Sequence, residues 1–275
     1  YASKADNWSK NLVLETMATY NKTFNRNHSL NVVAAFSYER GDYGNKAMVA
    51  TGFPQDLTED FDMSAAVNPQ KPTSGRGMTS LVSFLGRANY NLMNKYLFTA
   101  SFRRDGSSKF APGNKWSNFA SGAIAWRASE EQFIKDLNVF SNLKFRASYG
   151  QTGNQAIGAY ATRDYLTVAN YPINGALASG FANLTWRGPA NPDLKWETTS
   201  QYNVGVDMGF FQNRINLTID LYYKKTSDLL QNIQIPQSTG FSNMTTNFGN
   251  VTNKGLEITG KFYAITGKNL NWDFD

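Results

Sequence analysis

The 275-residue sequence predicts an all-β chain, an antiparallel transmembrane β-barrel, on three observations. Apolar and polar residues alternate with period two, short and long connections follow one another in order, and aromatic residues gather where strands would meet those connections. Successive side chains of a strand point to opposite faces, so alternation marks a sheet with one oily and one wet face. No run of about 18 apolar residues exists, which excludes a helical membrane protein. Barrel strands escape that test because every second residue is polar. Thus 14% aromatic residues coexist with a mean hydropathy of −0.46.

The strands are taken in order. From Asn142 to Gly150, Leu143, Phe145, Ala147 and Tyr149 oppose Lys144, Arg146 and Ser148. From Gln201 to Phe210, Tyr202, Val204, Val206, Met208 and Phe210 oppose Gln201, Asn203, Gly205, Asp207 and Gly209. Beyond Asn213, Ile215, Leu217, Ile219, Leu221 and Tyr223 oppose Asn216, Thr218, Asp220 and Tyr222; later, Leu256, Ile258 and Phe262 oppose Glu257, Thr259 and Lys261. Weaker strands are expected near 10–22, 29–40, 78–90, 96–103 and 116–127, and a last one starts at Asn271. About ten strands result.

Alternation alone fits a soluble sandwich equally well, and the connections separate the two. Links 23–28, 91–95, 128–141, 211–213 and 266–270 are short or moderate, whereas 41–77, 104–115, 151–197 and 225–250 are mostly longer. Outer-membrane barrels have short periplasmic turns and long extracellular loops. Tyr20, Tyr90, Tyr96, Trp126 and Phe210 lie beside the short turns and Tyr38, Tyr149, Tyr202 and Tyr223 toward the long loops, as two aromatic girdles would. A helix is expected only at Ser129 to Leu137, with Ser129 as N-cap, closing a turn.

Catalytic chemistry has little to work with. Cysteine is absent, and the single histidine, His28, falls in a polar turn without an acid neighbour, so thiolate and histidine catalysis and zinc sites lack their residues. The chain reads as a non-enzyme without a cofactor. Asp56, Glu59, Asp60 and Asp62 form an oxygen-rich cluster that is a weak calcium candidate, without EF-hand spacing. Gly150-Gln-Thr-Gly-Asn154 lacks a following helix and a Gly-Lys-Ser/Thr motif, so it reads as a strand running into a loop rather than a phosphate site. The net charge of +6 is spread along the chain, which argues against nucleic acid and fits a surface beside anionic lipid headgroups.

Three stretches carry a family likeness. One is Asn191-Pro-Asp-Leu-Lys-Trp-Glu-Thr-Thr through Phe210-Phe-Gln-Asn-Arg. Another runs from Tyr222-Tyr-Lys-Lys-Thr through Asp228-Leu-Leu and Ser238-Thr-Gly-Phe to Gly249-Asn-Val-Thr-Asn-Lys-Gly-Leu-Glu. The third comprises Phe102-Arg-Arg-Asp-Gly-Ser-Ser-Lys-Phe, Trp126-Arg-Ala-Ser-Glu-Glu and Leu143-Lys-Phe-Arg-Ala-Ser-Tyr-Gly-Gln-Thr-Gly-Asn. In order and spacing the chain resembles the SusC/RagA type of TonB-dependent outer-membrane transporter.

The resemblance implies part of one transmembrane barrel domain over 1–275, within a wall of about 22 strands. A plug domain, a signal peptide and C-terminal strands are expected outside it. It also implies import of oligosaccharides or peptides, driven through TonB, beneath a SusD-like surface lipoprotein. In such a channel the solute meets inward polar side chains; the lumen-facing candidates are Lys144, Arg146, Gln201, Asn203, Asp207, Asp220, Glu257 and Lys261. The residues by themselves leave two other readings open, a soluble secreted carbohydrate-binding module and a passive porin.

Overall fold

A computed structural model describes residues 1–54, 61–173, 176–183, 188–266 and 271–274. The elements are β1 (Ala2–Phe24), β2 (His28–Thr51), β3 (Asn68–Pro69), β4 (Thr73–Leu92), β5 (Tyr96–Ser107), β6 (Trp116–Arg127), α1 (Gln132–Lys135), β7 (Phe140–Asn154), β8 (Leu166–Ile173), β9 (Ala176–Asn183), β10 (Glu197–Phe210), β11 (Ile215–Ser227), β12 (Leu230–Gln234), β13 (Asn243–Asn247), β14 (Asn250–Thr266) and β15 (Asn271–Phe274). One sheet runs β1-β2-β4-β5-β6-β7-β10-β11-β14-β15, with β3 paired to the end of β2. Every neighbouring pair in it is antiparallel. This is an up-and-down meander, the topology of a barrel wall.

Register keeps the two faces separate across the whole wall. Directly opposed residues share a face, and Tyr149, Tyr202 and Tyr223 fall in one row, as do Phe145, Val206, Ile219 and Ile258. On the apolar face Leu221, Val204 and Ile258 remain 56%, 57% and 62% exposed. A single-layer sheet cannot bury them itself, so lipid supplies the apolar environment.

The short turns set the register. Asn25 and Arg26, and likewise Met93 and Asn94, take φ between 46° and 59°, the left-handed pairs that match the twist of a two-stranded ribbon. All nine girdle residues lie on the apolar face. Trp126 stacks on Phe145 at 5.7 Å and Phe140 meets Phe210 at 5.3 Å toward the turns, and Tyr149 and Tyr202 meet at 4.7 Å toward the loops.

Several expectations need correction. Residues 41–77 are not all loop, because β2 continues to Thr51 and β4 begins at Thr73. A tilted strand crosses the hydrocarbon in about 9–11 residues, so these strands, 24 and 20 residues long, run well past it. There neither face need be apolar, and the alternation that would mark a strand disappears. The long links 151–197 and 225–250 likewise contain the hairpins β8–β9 and β12–β13.

The helix is only a 3-10 turn, Ala128–Glu130, followed by the single turn of α1; Ser129 does not cap it, and the N-cap Glu131 makes no side-chain cap bond. The Glu131 carboxylate turns instead to the adjacent hairpin. It accepts from Lys95 Nζ at 2.6 Å, Tyr96 OH at 2.8 Å and Trp126 Nε1 at 3.4 Å. His28 opens β2 instead of sitting free in the turn, its Nδ1 2.6 Å from the Tyr90 hydroxyl.

Among the described residues the buried apolar cluster lies at the loop end of the sheet and is built mostly from loop residues. Phe110, Phe119, Ile157, Leu194 and Trp196 pack together, with Leu81, Ala161 and Leu230 against them. Trp196 lies 5.3 Å from Phe110 and edge-on to Phe119 at 5.8 Å, and its Nε1 donates to the Lys115 carbonyl at 3.0 Å. Leu81 and Phe119 belong to the polar face of their strands, so the loops fold over that face at their end of the sheet.

Candidate functional site

The polar face is a sequence of hydrogen-bonded rows. Asn31 donates to Asn21 at 2.6 Å, Asn89 to Asn31 at 2.9 Å and Thr99 to Asn89 at 2.9 Å, one ladder over β1, β2, β4 and β5. Toward the loops, Arg103 grips Asp105 at 2.7 and 2.8 Å and reaches Ser83 at 3.1 Å.

All eight lumen candidates share this face. Four of them meet in one cluster. Arg146 donates to Asp207 through Nε at 2.9 Å and Nη2 at 3.0 Å, and Nη2 also reaches Asp220 at 3.0 Å. Lys144 Nζ lies 3.5 Å from Asp207, and Thr218 donates to Asp207 at 3.2 Å. Gly205, directly between Arg146 and Asp220 in register, makes this possible; a Cβ there would press on Asp220 Oδ1 and come within 2.9 Å of Arg146 Nη2. Two cations and two carboxylates neutralise one another, so this cluster ties β7, β10 and β11 together more than it offers charge to a solute.

The other four are spread out. Glu257 sits opposite Asp220 in register and Lys261 opposite Asn216, while Asn203 lies between Ser148 and Tyr222. Gln201 enters a recess of about 310 Å³ with Thr99, Ser121, Ser148, Thr152 and Lys224. Lys224 was absent from the sequence-based set although it faces Gln201 in register. The double lysine Lys224-Lys225 concealed which of the two points to which face.

Asp62 works as a cap. Its Oδ1 accepts from Ser64 N at 3.0 Å and Ser64 Oγ at 2.6 Å, bonds that hold its carboxyl below the usual range. Asp56, Glu59 and Asp60 lie outside the described residues. Among the described residues no group of three His, Cys, Asp or Glu could hold a metal ion.

A pocket of about 390 Å³ at the loop end has no counterpart in the sequence reading. Tyr43 and Asn45 of β2 face Tyr160, Arg163 and Tyr165 of the long loop across it, and Thr245 of β13 closes one side. Tyr43 and Asn45 belong to the polar face of β2. Tyr160 is held at φ 62°, a strained setting for a large side chain that persists only where surroundings impose it.

The family-like motif reaches the pocket through Thr245. Asn191 donates to the Thr245 carbonyl at 2.9 Å and accepts from Asp193 N at 3.1 Å. Asn247 accepts from Lys195 N at 2.9 Å and donates to the carbonyls of Lys195 and Asp228 at 2.9 and 2.8 Å. Glu197 accepts from Leu230 N at 3.0 Å and from Asn154 at 3.1 Å. The motif residues are therefore those that lock the loops over the sheet.

A ten-strand antiparallel meander with an oily face, a hydrogen-bonded wet face and loops knit together at one end defines a wall of an outer-membrane β-barrel. The family model described as TonB dependent receptor-like, beta-barrel, matches residues 1–275; the chain belongs to this family. It is 40% identical over 232 residues to a TonB-dependent receptor of Formosa agariphila, covering 84% of this chain and 22% of that protein. It is 42% identical over 172 residues to the TonB-dependent receptor SusC of Bacteroides thetaiotaomicron, covering 61% of this chain and 17% of that protein. Among solved structures it is similar to the RagAB peptide transporter, with a TM-score of 0.86, 26% identity, and coverage of 98% of this chain and 29% of that one. The chain thus spans under a third of the length of these relatives. Membership places it in the outer membrane of a Gram-negative bacterium and sets aside the soluble carbohydrate-binding module.

Proposed function

We propose that this chain is part of the wall and extracellular loops of a TonB-dependent importer that takes up oligosaccharides or peptides. The polar face lines the lumen, the apolar face meets lipid, and the long loops stand outside the cell. A SusD-like surface lipoprotein delivers solute to those loops, and TonB supplies energy through parts of the protein beyond this stretch.

The observation that carries the reading is the tyrosine-rich pocket at the loop end of the polar face. Tyr43, Tyr160 and Tyr165 bring three aromatic rings with hydroxyls to it, beside Asn45 and Arg163, whose guanidinium lies 5.8 Å from the Tyr160 ring centroid. Flat apolar faces rimmed by donors suit sugar rings or a peptide backbone equally. Nothing in the pocket resembles a nucleophile with a base, so capture without bond-making fits it best.

The test is uptake of labelled oligosaccharide and peptide pools by cells carrying the full-length protein. Uptake of one pool that stops when the inner-membrane proton gradient is collapsed, and falls at least tenfold with Tyr160→Ala/Arg163→Ala at equal surface abundance, is the expected result. Uptake that persists without the gradient indicates a passive porin and refutes the reading.

A further inference from the structure

The pocket at the loop end is lined by arginine and, among the described residues, by no carboxylate. Its wall side is set by two glycines. Gly75 and Gly77 of β4 stand opposite Asn45 and Tyr43 of β2, and a Cβ at either would run into the side chain facing it. The amide and the ring therefore lie over β4 and floor the pocket. Its loop side is the turn 158–163, in which Arg163 N donates to the Tyr160 carbonyl at 3.0 Å. That turn is anchored. Ile157 belongs to the buried cluster, Ala161 packs against it, and Thr162 is 9% exposed. Arg163 stays exposed and lines the pocket.

The charge of Arg163 is not answered within the protein. Arg146 and Arg103, on the polar face of the wall, are neutralised by Asp207 with Asp220 and by Asp105. Among the described residues no carboxylate pairs with Arg163. Asp164, next in sequence, turns to backbone, its Oδ1 accepting from Ala190 N at 3.0 Å. The second arginine of the lining, Arg76, sits opposite Gly44 and so on the other face of β4, where it meets Asp42 at 3.6 Å and the Trp8 ring. The neighbour of the Arg163 guanidinium is the Tyr160 ring. A ring face engages a guanidinium without consuming its in-plane N–H donors.

We propose that Arg163 is a carboxylate subsite of this pocket, so that the solute captured there is an acidic one, an oligosaccharide carrying uronate groups or a peptide presenting a free carboxyl. The proposal rests on the reading above that the pocket captures solute, and it names the chemistry that the pocket selects. The planar fork of a guanidinium matches the two oxygens of a carboxylate. The anchored turn has already given up its freedom, which lowers the ordering cost of binding. A neutral solute gains nothing from the unanswered charge and a cationic one is repelled, so one side chain both attracts and rejects.

The test is equilibrium binding of labelled oligosaccharide and peptide pools to the full-length protein, each pool offered untreated and with its carboxyls converted to methyl esters. Esterification should lower the bound-to-free ratio of the recognised pool by about 10–100-fold, the range for a hydrogen bond to a charged group. Arg163→Gln should lower the ratio of the untreated pool by the same factor and leave the esterified pool unchanged, because both changes remove one contact. Arg163→Lys, which keeps the charge without the fork, should restore part of the loss. A loss confined to the oligosaccharide pool assigns the carboxylate to uronate, and one confined to the peptide pool assigns it to the peptide carboxyl. Equal binding of a pool and its ester, or an equal fall of both in Arg163→Gln, overturns the proposal. The ester comparison needs no variant, so it decides the matter even where Arg163→Gln does not fold. If neither untreated pool binds, or Tyr160→Ala alters the binding of neither, the capture role of the pocket itself fails and the proposal falls with it.

Discussion

Val206→Arg is the sharpest test of the face assignment. Val206 lies midway along the apolar run Tyr202–Phe210 of β10, flanked in register by Phe145 and Ile219. With the belt bounded by Tyr202 at one end and Phe210 at the other, this position sits near the middle of the hydrocarbon. An Arg at the bilayer midplane costs about 2–4 kcal/mol, and its long stem cannot bring the guanidinium to either interface without displacing those neighbours. Asn203→Arg is the matched control, on the opposite face between Ser148 and Tyr222, where a guanidinium meets hydroxyls and water. Its expected cost is under about 1 kcal/mol, the range for a substitution away from packed or paired groups. The assay is reversible denaturant unfolding of the full-length protein from lipid vesicles. Equal costs for the two variants, or a larger cost at Asn203, would refute the two-faced wall.

Three further outcomes are expected. Arg146→Met, which leaves Asp207 and Asp220 without their shared donor, should destabilise by about 1–3 kcal/mol, while Arg146→Met/Asp207→Leu/Asp220→Leu should recover most of it; the same unfolding titration compares them. Trp196→Ala, at a position 5% exposed, should cost about 3–5 kcal/mol locally, read as faster proteolysis of the 155–196 and 228–249 loops with an unchanged wall transition. The Lys95 and Tyr96 bonds hold the Glu131 carboxyl below the usual range, and the Glu131 bond raises Lys95. The carboxyl contribution is therefore present above about pH 4.3 and lost as pH falls through the lowered value. The lysine contribution is present below about pH 10.4 and lost as pH rises through the raised one. Glu131→Gln should flatten the acid limb of the pH–stability curve.

Much of the wall was legible because lipid enforces a rule. Where a strand crosses hydrocarbon, every second residue must be apolar, and Gln201–Phe210 and Ile215–Tyr223 show the pattern without interruption. Past the membrane the rule lapses, which is why the outer ends of β2 and β4, residues 41–51 and 73–77, read as loop. Faces were legible for the same reason, so Arg146, Asp207 and Asp220 could be assigned together, though their mutual neutralisation depends on cross-strand register and on the missing side chain of Gly205. The pocket of Tyr43, Tyr160 and Arg163 was not legible. It joins residues more than a hundred positions apart, and no period in the sequence relates them.

The two kinds of apolar surface obey different solvents, and this separates their stabilities. Wall residues such as Leu221 and Ile258 gain their burial from lipid and stay exposed to it within the protein. Loop residues stand in water, and there a structureless link of such length is not viable without burying apolar area of its own. Phe110, Ile157, Leu194 and Trp196 supply that area, and Asn191, Glu197 and Asn247 satisfy the backbone groups the loops leave open. The cluster touches the wall chiefly through Leu81 and Phe119. The loop cluster can therefore lose its packing while the paired strands of the wall stay intact. The conspicuous motif Asn191-Pro-Asp-Leu-Lys-Trp-Glu is thus what fastens the loops to one another.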